Sequence, residues 1–348
     1  MKKVILGFIV FIISLSLTLL FLNNKKALTD QATDKEVISL NKQIEVEEIL
    51  VTDEDTIKPI KLLITGDVST SGLTVEYMVE TGATPFQFVE NYFNTADIVL
   101  VNSEMVLAEE EGYPQNKPYT LRGPVDATMN AFTNANVSIV SIANNHSSDF
   151  GPDAFVNMLD IFEENNLKYF GGGRTVSDTF SAEFIELNDT VIAFIGVNES
   201  ETFFTSVNNN RAGGAYFNES LLKPAFDEAK LKAGIIIVMP HWGIEHQPTS
   251  NSFQQEWAHK FIDWGADLVV GSHPHIIQES EYYQDTPIYY SLGNFVFSGF
   301  SWIETGQVGL LLEVEIENDE IKSINEYKVE LTYQGFPKFI DGSMNGNE

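Results

Sequence analysis

The chain has 348 residues, 43% of them hydrophobic and 20% charged, which supplies a sizeable core for one large domain or two small ones and excludes a disordered polymer. With 50 acidic residues against 20 basic ones the formal net charge is -30, which argues against nucleic acid as a partner because phosphate binding needs clustered Lys and Arg. Cysteine is absent, so disulfides, thiol nucleophiles and thiolate metal sites are excluded as well.

At the start, "MKK" precedes "VILGFIVFIISLSLTLLFL", Val4 to Leu22, a run without a charge. As a helix rising about 1.5 Å per residue this run is roughly 28 Å long, close to the hydrocarbon thickness of a bilayer. It is longer than the usual apolar core of a signal peptide, and "NNKKALTD" after it has no small-x-small cleavage site. Residues 1–26 are therefore expected to be a membrane anchor retained in the chain, with a cleaved signal peptide as the alternative. A slight positive-inside bias from Lys2 and Lys3 directs the C-terminus outward, giving a single-pass protein of the cell membrane whose main domain is extracytoplasmic. Residues 27–59 ("TDQATDKEV", "EVEEILVTDEDT") are polar and acidic without sustained periodicity and are expected to form a stalk.

Residues 60–340 read as one α/β domain. Short apolar runs recur with helix-capable segments between them: "KLLITGDV", "ADIVLVNSE", "VSIVSIANN", "KYFGGG", "TVIAFIGVN", "AGIIIVMPH", "ADLVVGSH" and "PIYYSLGNF". Near-continuous apolar strands alternating with helices indicate sheet covered on both faces. The tail, "GLLLEVEIENDEIKSINEYKVELTYQG", instead alternates apolar and polar residues around an "ND" turn, so the last strands are expected to be antiparallel and half exposed.

Chemistry-bearing residues cluster where these strands end. Asp67 ends the first, Asn102 and Glu104 the second, and Asn144, Asn145, His146 and Asp149 follow the third; His241 and Glu245 end a later one, and His273 and His275 the next. Ligands of open α/β sheets bind at the carboxyl ends of strands, so motifs far apart in sequence are expected to converge. Two histidines, carboxylates and an amide oxygen make a mixed N/O donor set of the kind that holds Mn, Zn or Fe. Arg122 in "YTLRGP" and Arg174 in "GGGRT" are candidates to grip a carboxylate or phosphate in bidentate fashion, with ordinary surface ion pairs as the alternative. Asn102 and Glu245 are further candidate substrate contacts, and Glu245 has the alternative of orienting a ligand. His246 and His259 are assigned no role, His246 being expected to turn away from His241.

In their order, "GDV", "NSE", "ANNHSSDFG", "HWGIE", "GSHPH" and "SLGNF" resemble the bacterial capsule-synthesis protein family often called CapA, associated with poly-γ-glutamate capsules. The resemblance covers about Lys61 to Phe297, and that family is similar to the calcineurin-like metallophosphoesterases, which fold as a two-sheet αββα sandwich with a metal pair at the strand ends. It implies that Asp67 and His275 bind one divalent ion, that Glu104 bridges two, that Asn145, His241 and His273 complete the second, and that His146 is the acid beside the leaving group; from its chemistry, Asp149 is the candidate to orient that imidazole. One departure stands out. Metallophosphoesterases usually carry a histidine two residues after the first aspartate, where this chain has Ser69, so the first ion keeps fewer protein ligands and a single-ion site is an open alternative.

The expected function is that of a membrane-anchored, metal-dependent hydrolase cutting an amide or phosphoester bond in an anionic polymer such as poly-γ-glutamate, alongside other membrane subunits of capsule synthesis. The alternative is a non-catalytic, metal-dependent tether for the polymer. The topology is tested with a reporter active only outside the cytoplasm: fused after Glu348 it is expected to be active and membrane-bound, whereas a shortened chain free in the medium would show a cleaved signal.

Overall fold

The computed structural model describes residues 58–109, 112–200, 205–299 and 304–340. The expected anchor and nearly all of the expected stalk lie outside the described residues, among which no helix is long and apolar enough to cross a membrane. The described residues belong to one compact unit beginning at Ile57.

Why so many strands are apolar on both faces is explained by two sheets lying against each other, each covered by helices. In the first sheet Pro337–Phe339, Glu320–Leu331, Val308–Glu317, Ile60–Val68, Ile98–Ser103, Ile139–Ser141 and Lys168–Phe170 are neighbours in that order, with Asn294–Val296 also paired to Ile60–Val68. The second runs Ser280–Tyr283, Thr286–Tyr289, Leu268–Val270, Ile235–His241, Thr190–Asn198, Glu183–Leu187. Side chains alternate between two destinations, as the period of two in a strand requires. Ile60, Leu62, Ile64, Ile98 and Leu100 of one sheet meet Ile192, Phe194, Ile235, Ile237 and Leu268 of the other. Their sequence neighbours Leu63, Val99 and Val101 pack outward under the helices Leu73–Thr81, Val125–Asn134 and Pro152–Glu164. Ala193, Ile195, Ile236 and Val238 pack outward under Glu219–Lys232 and Ser252–Asp263. Full burial of one such aliphatic side chain is worth roughly 1.5–3 kcal/mol, so these cores dominate the stability. The αββα two-sheet sandwich is thus the observed architecture.

Within each sheet the site-bearing strands are parallel, Ile60–Val68 beside Ile98–Ser103 beside Ile139–Ser141, and Thr190–Asn198 beside Ile235–His241 beside Leu268–Val270. Their carboxyl ends therefore share one edge of each sheet. The tail forms the expected antiparallel hairpin, with Glu317 opposite Glu320 and both turn residues, Asn318 and Asp319, at positive φ (55° and 57°), the conformation of a tight hairpin turn.

"PIYYSLGNF" differs from its reading as a single strand. Thr286–Tyr289 lies in the second sheet and Asn294–Val296 in the first, so this segment crosses from one sheet to the other at the site. Gly293, at φ 71°, breaks the run. Its carbonyl comes so close to Gly66 that a Cβ there would sit 1.8 Å from the oxygen, and it accepts the Asp67 amide at 3.0 Å. The register also slips between Ile64 and Asp67, a bulge that re-aims the Asp67 carboxylate. Gly66→Ala is expected to destabilise the domain by at least about 1–3 kcal/mol, the usual cost of overpacking, and to lower metal content, read by thermal unfolding and metal analysis. A variant as stable and as metal-rich as the parent would contradict this role for Gly66.

Candidate metal centre

Two groups of donors share one residue. Asp67, Glu104 and His275 form one, and Glu104, His241 and His273 the other, with the donor atoms within each group lying inside 4.8 Å of one another. All five residues are buried. Glu104 follows directly on the strand Ile98–Ser103, and its amide donates to Val68 O at 2.9 Å, which anchors it beside Asp67.

Each ring presents a defined nitrogen. Nδ1 of His241 bonds Ser272 Oγ at 3.0 Å, and Nε2 of His273 bonds Ser200 Oγ at 2.9 Å. That leaves His241 Nε2 and His273 Nδ1 facing each other at 3.1 Å, with Asn145 Oδ1 at 2.8 Å and Glu104 Oε1 at 3.5 Å from His241 Nε2. His275 Nδ1 bonds Asn294 Oδ1 at 2.8 Å, which turns Nε2 toward Glu104 Oε1, 3.8 Å away. Such outward bonds fix ring orientation in metal sites. His273 and His275 flank Pro274 at φ 99° and 59°, a left-handed conformation disfavoured for residues with a side chain. Backbone strain of this kind costs on the order of 1–3 kcal/mol and collects at functional sites.

A divalent cation fits this arrangement. Neither oxygen of Glu104 has a hydrogen-bond donor although both are buried, and burial followed by the neighbouring Asp67 carboxylate pushes its carboxyl well above the usual range. Burial also raises Asp67, opposed by His275 and by the Asn102 amide that donates to Oδ1 at 2.8 Å. Burial, then the other imidazoles, holds His241 and His273 well below the usual histidine range, and burial lowers His275 against the pull of Asp67. Neutral imidazoles and an uncompensated carboxylate turned on one another are ligands lacking only the positive charge.

Beside the donors stands a second constellation. His146 Nδ1 meets Asp149 Oδ2 at 2.7 Å, and that carboxylate also takes the Leu121 amide at 2.5 Å and the Lys117 ammonium at 2.7 Å. Asn144 shapes the turn: its Oδ1 accepts the amides of His146 and Ser147, and its amide group reaches Ser103 O and Asn102 Oδ1. Gly151 and Pro152 then open the helix Pro152–Glu164.

Asp67, Glu104, Asn145, His146, Asp149, His241, His273 and His275 are thus brought together. Asn102 is fully buried, its amide donating to Asp67 Oδ1. Arg174 lies outside the cluster, in surface ion pairs with Asp160 and Glu163. Arg122 sits by the His146 turn, its guanidinium 3.8 Å from the centre of the Phe150 ring and donating to Glu109 O. Glu245 is exposed, near enough to Glu104 to raise its carboxyl further. His246, expected to turn away from His241 and assigned no role, stands 6.3 Å from His275 between ring centres, where a positive φ of 61° and its amide bond to Pro274 O hold it. His259 is remote, stacked on Tyr283 and bonded to Glu281. Sequence reasoning did not single out Lys117, Ser200, Ser272 or Asn294, although Ser272 stands in "GSHPH" and Asn294 in "SLGNF".

A model of the bacterial capsule synthesis protein family PGA_cap matches residues 61–299. The chain belongs to this family. It is 31% identical to the PGA biosynthesis protein CapA of Bacillus subtilis (strain 168) over 227 residues, 65% of this chain and 60% of that one. It is 25% identical to the capsule biosynthesis protein CapA of Bacillus anthracis over 296 residues, 83% of this chain and 71% of that one. In three dimensions it is similar to a hypothetical protein from Thermus thermophilus, with a TM-score of 0.50 and 16% identity over 78% of this chain and 99% of the other.

Metal uptake is expected to be asymmetric. The group of Glu104, His241 and His273, to which Asn145 adds an oxygen, should hold its ion through dialysis, and the group of Asp67, Glu104 and His275 should lose its own. His273→Ala should remove the tight ion and Glu104→Gln both, by metal analysis. Because burial raises both carboxyls, protons compete with the ion for them, so affinity should rise as pH rises through their titration, with protons released on uptake over that range. Calorimetry in buffers of different ionisation enthalpy checks this, and uptake without proton release would contradict it.

Proposed function

We propose that this chain is a membrane-anchored, extracytoplasmic, metal-dependent hydrolase that acts in the biosynthesis or export of a poly-γ-glutamate capsule, cutting an amide or phosphoester bond. Family membership and the capsule and PGA functions named for its Bacillus relatives support the setting. The observation that carries the hydrolase reading is the juxtaposition of two donor groups sharing Glu104 with the His146–Asp149 pair on the turn that also supplies Asn145.

Asp67, Glu104, Asn145, His241, His273 and His275 would hold one or two ions of Mn, Zn or Fe. A bound ion lowers the pKa of water toward neutrality and polarises the oxygen under attack. The protein's own part is to keep that donor set buried and rigid, through Ser272, Ser200 and Asn294 on the rings and Asn102 on Asp67. Asp149 holds the His146 imidazole by Nδ1, which frees Nε2 to give a proton to the leaving group. With a net charge of -30 the chain repels a polyanion at long range, so capture of a carboxylate-rich polymer falls to the metal-binding cluster.

The tether reading is favoured by one observation, Ser69, whose hydroxyl bonds Ser71 Oγ where a further ligand histidine is usual. His146→Ala separates the two readings. A general acid contributes on the order of 10² to 10⁴ in rate, so turnover on γ-glutamyl polymer or simple phosphodiesters should fall by about that factor with metal content and polymer affinity retained. His241→Ala should lose metal and both functions together. Capsule formation that is insensitive to His146→Ala but sensitive to His241→Ala would replace the hydrolase with the tether.

A further inference from the structure

Lys117 is the one buried cation at this site among the described residues, with a side chain only 2% exposed beside an Asp149 side chain that is wholly buried. An ammonium taken out of water costs several kcal/mol unless it is paired and hydrogen-bonded. Here it is both. Its Nζ donates to Asp149 Oδ1 at 2.7 Å and to the main-chain oxygen of Asn145 at 2.7 Å. The segment that carries it is laced to the same turn at further points: the Gln115 amide donates to Asp149 O at 2.7 Å, and the Leu121 amide to Asp149 Oδ2. A Cβ on Gly112 would lie 1.9 Å from Phe150 O, so only glycine permits that approach.

We propose that Lys117 is a positioning residue for His146. Asp149 is bonded on both oxygens, by Lys117 at Oδ1 and by His146 Nδ1 and the Leu121 amide at Oδ2, so the ammonium fixes the carboxylate that in turn fixes the ring. Through Asn145 O the same ammonium pins the turn between a metal donor and the proton donor, setting the spacing between them. Neighbours that orient a functional ring in this way typically matter by about 10- to 100-fold. The inference rests on the hydrolase reading for its effect on rate, but its geometric content does not need turnover.

Two measurements keep the two ideas apart. In protein labelled with ¹⁵N-histidine, the His146 Nδ1–H that bonds Asp149 should give a slowly exchanging downfield proton signal, assigned by its loss in His146→Ala and Asp149→Asn. In Lys117→Met that signal should broaden or disappear, with metal content retained. A folded Lys117→Met protein with the signal unchanged would overturn the proposal, whether or not any substrate is turned over. Where turnover is measurable, Lys117→Met should lower kcat by about 10-fold or more with little change in KM, and the loss should vanish in a His146→Ala background, because the residue acts through that ring. Losses that multiply independently would overturn it. Because the chain has no cysteine, Lys117→Cys offers a unique thiol, which 2-bromoethylamine, applied in denaturant before refolding, converts to a near-isosteric ammonium. The alkylated protein should regain the signal that the unalkylated protein lacks, and recovery of fold without recovery of the signal would again count against the role.

Discussion

A carboxylate sealed in the protein with no hydrogen-bond donor on either oxygen is the feature on which this site turns. Glu104 is fully buried, lies against a second carboxylate, and faces three imidazoles whose burial disfavours their protonated forms. Burial so disfavours the ionised carboxylate that a cation is the partner it lacks. His273 and His275 both stand at positive φ, a conformation that is disfavoured for residues with a side chain and gathers at functional sites.

The sandwich makes that cluster possible by dividing its donors between two sheets. Asp67 and Glu104 come from the first sheet and His241 and the His273–His275 loop from the second, and the two meet where parallel strands of both end on a common side. Between them the large inter-sheet core fixes the distance, so the donor geometry inherits the rigidity of close-packed aliphatic side chains. The crossing segment from Tyr289 to Asn294 stitches the sheets at the site itself: Gly293 O meets Asp67 and the Asn294 side chain meets His275.

The His146 turn is organised on a different principle. Where the donor cluster is rich in negative charge and lone pairs, the turn carries a balanced buried network of imidazole, carboxylate and ammonium. This ion-paired network adjoins the carboxylate- and imidazole-rich donor cluster through neighbouring residues of one loop. Asn145 belongs to both halves, its side chain to the donors and its carbonyl to Lys117.

The sequence alone carried much of this. Apolar runs that alternate between two cores read as doubly covered strands, and polar residues gathered at their ends read as ligands, because strand periodicity and strand-end chemistry are local properties. "ANNHSSDFG" and "GSHPH" are compact enough for spacing to betray them. What only the tertiary structure decided is which distant side chains complete them. Lys117 lies in "PQNKPY", which has no periodicity or motif, and its role exists only because its loop is laced to a turn about thirty residues on. Asn102 and Arg174 stand in promising local contexts, and packing set the amide of the first on Asp67 and turned the second to surface carboxylates. His246 was set beside His275 in a left-handed conformation that the sequence does not mark. Ligand types are set by the residue and its immediate neighbours, whereas their partners are set by long-range packing, and the separation of those two length scales is why one was legible in the sequence and the other was not.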